Sequence, residues 1–141
     1  MAHQNPNDDE IQKLLNSATT IAVVGASSSP ARSSHGVMAR LLQLGYRVFP
    51  VNPNETDVLG QKAYASLADV PSPIDIVDVF RRDEYTPAVA DEAVAVHAKV
   101  LWLQQGLWNE DAAARAKAGG MTVVMDECLG VVASVMRQRR S

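Results

Sequence analysis

Five short apolar runs are spaced along this chain, with a helical pattern or a polar loop between them. That alternation limits the fold more than any other feature. The runs are Ile21 to Val24, Tyr46 to Val51, Ile74 to Phe80, Val100 to Leu103 and Thr122 to Met125. They are rich in valine and isoleucine and nearly unbroken, as strands buried on both faces are. Three intervening segments carry helix signals. His35 to Leu44 places Val37, Met38, Leu41, Leu42 and Leu44 at helical spacing before Gly45. Thr86 and Pro87 read as N-cap and first helical residue of a helix through Val89, Ala93, Val94 and His97. Asn109 caps an alanine-rich stretch that Gly119 and Gly120 stop. Helices are also predicted at about 7–18, where Asn7 and Glu10 form a capping box, and at about 131–140. Parallel strands need crossovers of this kind. The prediction is an α/β fold: a Rossmann-like, doubly wound parallel sheet of five strands, order 3-2-1-4-5. It occupies a single domain, 1–141, whose motif-bearing core is 21–130.

The remaining pieces are short. Pro50 is awkward within a strand and is expected near its end. Residues 52–64 read as a polar loop with one turn at Leu59–Gly60, and 66–71 as a single helical turn. Asp75 and Asp78 interrupt the third strand.

Composition narrows the function. A net charge of −3 over 141 residues argues against a broad nucleic-acid surface. The local cluster Arg137, Arg139 and Arg140 reads as a solvated basic helix end. The single cysteine, Cys128, excludes an intrachain disulfide framework and a thiolate metal cluster. It fits a reducing, cytoplasmic setting. The first fifteen residues are polar and acidic, unlike a signal peptide, and no apolar run reaches the length of a membrane span.

Ligands of doubly wound sheets bind beyond the carboxyl ends of the strands, beside strand one. Five places meet that rule: 25–29, 52–53, 80–82, 104–106 and 126–128. The first, Gly25-Ala26-Ser27-Ser28-Ser29, carries no side chain larger than a hydroxymethyl. Its backbone amides and the following helix N-terminus suit a phosphate. The plainer alternative is a tight strand-to-helix turn with serine caps. A nucleoside triphosphate loop is a poor match, because Pro30 stands five residues after Gly25 and no Gly-Lys pair follows. A dinucleotide site would want more glycines and an acid ending the second strand; Val51 is followed by Asn52.

Several strand-end motifs, in order, carry a resemblance. "VGAS", "VNP" with "VLG" beyond it, "IDIVDVFRR", "LWLQQGLWN" and "VVMDECLG" resemble the CoA-binding protein family. The chain is similar to the N-terminal CoA-binding domain of the succinyl-CoA synthetase α subunit and of ADP-forming acyl-CoA synthetases. The likeness spans roughly Ile21 to Gly130. It implies a Rossmann-like fold that holds coenzyme A or an acyl-CoA. The matching positions are Ser27 to Pro30, Val51 to Pro53, Phe80 to Arg82 and Leu103 to Gln105. Many relatives have a lysine after "VNP"; here Asn54 stands there, with Arg32 or Lys62 as replacement cations. The synthetases carry their phosphorylated histidine in a second domain. His3, in an end expected to be floppy, His35 and His97 read instead as cap, core or surface residues.

The charges suit such a ligand, whose phosphates bear about four negative charges at neutral pH. Arg32, Arg81 and Arg82 are candidate partners, since guanidinium forks match phosphate oxygens. Alternatively, Arg81 and Arg82 form a solvated pair balanced by Asp83 and Glu84. Phe80 reads equally as an adenine wall or a core residue, and Gln104 and Gln105 as amide partners or turn residues. Asp126 and Glu127 beside Cys128 invite a catalytic reading, but a general base needs reach and a tuned pKa that sequence does not display. Trp102 and Trp108 read as packing residues. The chain is therefore expected to bind coenzyme A or an acyl-CoA without catalysis of its own and without a bound metal. The expected cofactor-binding set is Gly25 to Pro30, Arg32, Val51 to Pro53, Phe80 to Arg82 and Leu103 to Gln105. The alternatives are an NAD(P)-binding oxidoreductase, or a subunit that lends its CoA site to an acyl-CoA synthetase assembled with a partner chain.

Overall fold

The side chains that alternate in and out of each strand decide how this chain layers. In the computed structural model, which describes residues 2–71 and 73–138, five strands form one parallel sheet. They are β1 (Thr20–Val24), β2 (Arg47–Val51), β5 (Ile76–Val79), β6 (Val100–Leu103) and β7 (Thr122–Val124). One face presents Val24, Val77, Val79, Leu101 and Leu103 to α3 (Thr86–Ala95) and α4 (Glu110–Ala118). The other presents Ile21, Val23, Ile76 and Trp102 to α1 (Asp8–Ser17), α2 (Ser33–Gln43) and α5 (Leu129–Gln138). Both faces are dry, which is why the strands carry no regular polar alternation.

The order across the sheet is β2-β1-β5-β6-β7. Counting these five alone in chain order, it runs 2-1-3-4-5. The doubly wound parallel sheet is as expected, and so is the reversal of winding at β1. The third strand, however, pairs with β1, Ile21 to Val24 against Ile76 to Val79, rather than lying outside β2 as the order 3-2-1-4-5 would have it. The outer edge of β2 is already taken. Tyr64 N–H donates to the Pro50 carbonyl at 2.9 Å, and Asn52 N–H donates to the Tyr64 carbonyl at 2.8 Å. Pro50 sits inside β2, but on that outer register, so its missing N–H removes nothing from the ladder to β1. The loop that reaches Tyr64 contains a small hairpin, β3 (Asp57–Val58) with β4 (Gln61–Lys62). Its turn, Leu59 and Gly60, has positive φ at both residues. The expected helical turn at 66–71 is a 3-10 turn, Leu67–Asp69.

The capping box of α1 forms: Glu10 N–H donates to Asn7 Oδ1 at 2.9 Å, and Asn7 N–H to Glu10 Oε1 at 3.3 Å. Asn109 likewise caps α4 by accepting from Ala112 N–H at 2.8 Å. Helix α3 departs from expectation. A 3-10 turn, Asp83–Tyr85, precedes it, and Thr86 is its buried first residue, donating its hydroxyl to the Asp83 carbonyl at 2.8 Å. The helix ends at Ala95, and His97 lies beyond it with φ at +60°.

His3 also departs from expectation. It is buried, donates its N–H to Glu110 Oε1 at 2.8 Å and lies 5.5 Å from the Trp108 ring. Asn5 reinforces the same anchorage by exchanging two hydrogen bonds with the backbone of Met125, each 2.8 Å. Trp102 is fully buried and donates its indole N–H to the Glu127 carbonyl, a packing residue as expected. Arg139 and Arg140 lie outside the described residues.

Candidate functional site

Reversal of winding at β1 leaves a gap between the carboxyl ends of β1 and β5, because the chain leaves these neighbouring strands toward opposite faces. A cleft of about 520 Å³ opens there. Gly25 closes β1, Phe80, Arg81 and Arg82 follow β5, and Gln104 and Gln105 follow β6. Arg32, Ser33 and Ser34 bring in the first turn of α2, and Cys128 the approach to α5. Three arginines and no acidic residue line this cleft, in a chain whose net charge is −3. Among the described residues, none of the three arginines forms an ion pair. Asp83 and Glu84 thus do not neutralise Arg81 and Arg82. The Arg81 guanidinium lies 5.0 Å over the Tyr85 ring instead.

Each predicted residue can now be placed. Gly25, Arg32, Phe80, Arg81, Arg82, Gln104 and Gln105 come together in the cleft. Val51 and Pro53 line a separate hollow of about 240 Å³ on the α3 side, which also touches Arg81. Leu103 and Ala26 are fully buried in the core. Ser27, Ser28, Ser29 and Pro30 stand outside the cleft lining, because the loop turns toward the segment after β2. There Ser28 donates its N–H to Glu55 Oε2 at 2.8 Å and its hydroxyl to Glu55 Oε1 at 2.9 Å. These two bonds hold the Glu55 carboxyl below its ordinary value. Ser29 N–H donates to Ser27 Oγ at 3.0 Å, and Gly25 N–H to the Val51 carbonyl at 2.9 Å. Three of the five backbone N–H groups of the predicted phosphate cradle, those of Gly25, Ser28 and Ser29, are therefore engaged by the chain itself.

Asn52 acts as a strut. Its amide donates to the Ala26 carbonyl at 2.8 Å, and its oxygen accepts from Asn54 N–H at 2.9 Å. Lys62 faces the Tyr64 ring at 5.4 Å on the hairpin, away from the cleft lining; Arg32 is the loop's cation there. Gly25 has a reason different from ligand access. With φ at +87°, a Cβ would fall 2.2 Å from the Phe80 carbonyl oxygen, so β5 packs against its bare face.

Open donors lie at the start of α2. An α-helix leaves its first N–H groups unpaired, and Ser33 and Ser34 occupy that turn. Ser34 is 3% exposed, and its hydroxyl has no hydrogen-bond partner. Sequence reasoning missed both serines by starting the helix at His35. The preference of serine for helix starts was the available signal. Val37 and Leu107 were also missed as lining residues, while Cys128 belongs to a strand end singled out in the sequence but left out of the binding set. Gln104 is buried and accepts from Leu129 N–H at 3.0 Å, so it caps α5 and lines the cleft together.

Of the acidic pair after β7, the Asp126 carboxylate is structural, whereas Glu127 is exposed and engaged only through its backbone. Asp126, at φ +59°, accepts from Gly106 N–H at 2.7 Å, and the Glu127 carbonyl receives Trp102. Among the described residues no group of three His, Cys, Asp or Glu is placed to hold a metal. His35 is half-buried on α2 and His97 exposed after α3. Beneath the cleft floor, Asp78 of β5 is fully buried between Val23 and Trp102, and neither carboxyl oxygen has a partner. Burial pushes its pKa well above the ordinary range.

Residues 19–134 match the CoA binding domain family. The chain belongs to that family. The uncharacterized protein YneT of Bacillus subtilis is 46% identical over 134 residues, 95% of this chain and 99% of that one. A solved structure, a hypothetical protein from Pyrococcus horikoshii OT3, superposes with a TM-score of 0.90 at 35% identity, covering 97% and 99% of the two chains. The 4-hydroxybutyrate–CoA ligase [ADP-forming] of Nitrosopumilus maritimus is 30% identical over 128 residues. That stretch is 82% of this chain but only 18% of the ligase. The Rossmann-like sheet and the kinship with ADP-forming CoA ligases agree with what the strand-end motifs imply.

Proposed function

We propose that the protein binds coenzyme A or an acyl-CoA in the cleft between β1 and β5, in the cytoplasm, and performs no catalysis of its own. The observation that carries this reading is the lining: three arginines without ion pairs, no carboxylate, and the unpartnered Ser34 hydroxyl. Such a site suits the pyrophosphate and ribose phosphate of the cofactor. Arg32, Arg81 and Arg82 would take the phosphates, and Gln104 and Gln105 the amides of the pantetheine arm. Phe80 supplies an apolar wall. The NAD(P) alternative is less favoured, because Asn52 stands where a ribose-binding acid belongs and its amide is committed to the loop.

The way several polar groups are used supports the non-catalytic reading. Asp126 ties down Gly106, Glu127 faces the core through its carbonyl, and the histidines stand apart from the cleft lining. The likeness to the ADP-forming ligases favours one further reading, in which this chain lends its site to a partner that supplies phosphoryl transfer. Titration calorimetry with CoA, acetyl-CoA, NAD and NADP tests the binding proposal. We expect micromolar or weaker binding of the two CoA species, and a higher melting temperature by mass action on the folded state. A response to NAD with none to millimolar CoA would replace this reading with the dinucleotide one.

A further inference from the structure

A second cavity begins where the cleft ends. It is a groove of about 310 Å³ between α2 and α5, and it shares Val37 and Cys128 with the cleft. The two hollows therefore adjoin at these two residues. Their chemistry differs. The cleft holds the arginines. The groove is lined by Val37, Val131 and Val135 with the bare backbones of Gly36 and Gly130. Arg40 lies at its rim, and the Ser134 hydroxyl is already spent on the Gly130 carbonyl at 2.8 Å.

Two further observations point the same way. Val131 and Val135 are 61% and 42% exposed, so apolar surface is left open along this face of α5. Gly36 lies within α2, where glycine costs helix stability relative to alanine. Neither tight packing nor a left-handed backbone requires it. A Cβ there would meet nothing within 4 Å, and its φ lies outside the positive range. What its bareness does is keep the groove floor open.

We propose that this groove holds the acyl chain of an acyl-CoA whose nucleotide lies in the arginine-lined cleft, so that the ligand is a thioester with an apolar chain of about six to eight carbons. The proposal rests on the CoA reading of the cleft. The thioester would lie where the two hollows adjoin, at Val37 and Cys128. Beyond it the valine and glycine walls suit an apolar chain, with Arg40 beside them.

The test is calorimetric titration of the full chain with CoA, acetyl-CoA, hexanoyl-CoA and octanoyl-CoA, repeated on Gly36→Leu. A fully buried methylene is worth about fourfold in affinity. Six extra methylenes buried to about a third in an open groove give roughly tenfold for octanoyl-CoA over acetyl-CoA. Gly36 lines the groove and not the cleft, and its Cβ position is free. Gly36→Leu should therefore fold, bind CoA as the parent does, and lose the octanoyl advantage. Equal binding of CoA, acetyl-CoA and octanoyl-CoA would overturn the groove assignment and leave the cleft reading standing. No binding of any of the four would overturn both. The groove would instead be a face between two copies of this chain if sedimentation showed a dimer that Gly36→Leu and Val135→Asp dissociate, while the octanoyl preference stayed unchanged; that result also overturns the proposal.

Discussion

Replacing Asp78 by asparagine should flatten the pH dependence of stability while leaving the fold intact. Asp78 is fully buried in the middle of the sheet, with Val23 on one side and Trp102 on the other, and its oxygens have no partner. Desolvation raises its folded-state pKa far above the unfolded value of about 3.9. Below about pH 4 both states hold the proton, and the group contributes no pH-dependent penalty. As the pH rises past that point, the unfolded chain releases its proton and the folded chain keeps it. Unfolding then becomes easier by about 1.4 kcal/mol per pH unit, until the folded-state pKa is passed and the slope vanishes. Asparagine has nearly the same shape and no proton to release. The difference in stability, variant minus parent, should therefore be smallest near pH 4 and grow in favour of Asp78→Asn toward pH 7. Urea denaturation at half-unit steps from pH 4 to 8, with the slope against denaturant held constant, measures this difference. Parallel stability profiles for the two proteins would refute the reasoning, since they would mean that Asp78 is ionised in the folded state or solvated by groups the packing does not reveal.

Other perturbations separate binding from folding. Arg32→Ala, Arg81→Ala and Arg82→Ala should each leave the melting temperature nearly unchanged. Those arginines that meet a phosphate should weaken CoA binding by about 1.5–3 kcal/mol, roughly ten- to a hundredfold, read by calorimetry at low and high salt. Gly25→Ala should lower the melting temperature rather than act on binding alone, because the new Cβ falls 2.2 Å from the Phe80 carbonyl oxygen; wild-type stability in a thermal melt would contradict the packing argument. Glu55→Gln removes an anion held on the Ser28 N–H and hydroxyl; because Ser28 stands outside the cleft lining, the Kd for CoA should stay nearly unchanged, and a clear gain in affinity would place a phosphate at Ser28 instead. The Glu55 carboxyl sits below its ordinary value, so its contact with Ser28 is fully present above the unfolded pKa and is lost as the pH falls through the lowered one.

The fold was legible because its cause is periodic. Buried parallel strands and amphipathic crossovers leave unbroken and 3.6-residue patterns, and the caps at Asn7 and Asn109 lie within three residues of the groups they satisfy. Strand order was less legible. Nothing in the third strand, Ile74 to Phe80, states which edge it joins. The deciding event is Tyr64 closing the far edge of β2, a pairing made by residues in a polar loop. His3 was hidden for a similar reason: its anchor, Glu110, is 107 residues away.

The site divides along the same line. Cations that follow a strand directly, Arg81 and Arg82, could be read as strand-end residues, and they line the cleft. The small-residue loop reads, from its composition and its place at the end of the first strand, as a set of free amides. Whether an amide is free depends on what else reaches it, and Glu55 reaches Ser28 from 27 residues further along the chain. The same loop chemistry that attracts a phosphate also attracts a carboxylate of the chain itself. Donor capacity then passes to the first turn of α2, where Ser34 is buried with its hydroxyl unspent beside Arg32. A phosphate arriving there meets a helix N-terminus and the cleft-lining Arg32, with no carboxylate to expel. One that goes to Ser28 must first expel Glu55. The Glu55→Gln titration therefore decides between the two positions: a gain in affinity puts a phosphate at Ser28, and no change puts it at the start of α2.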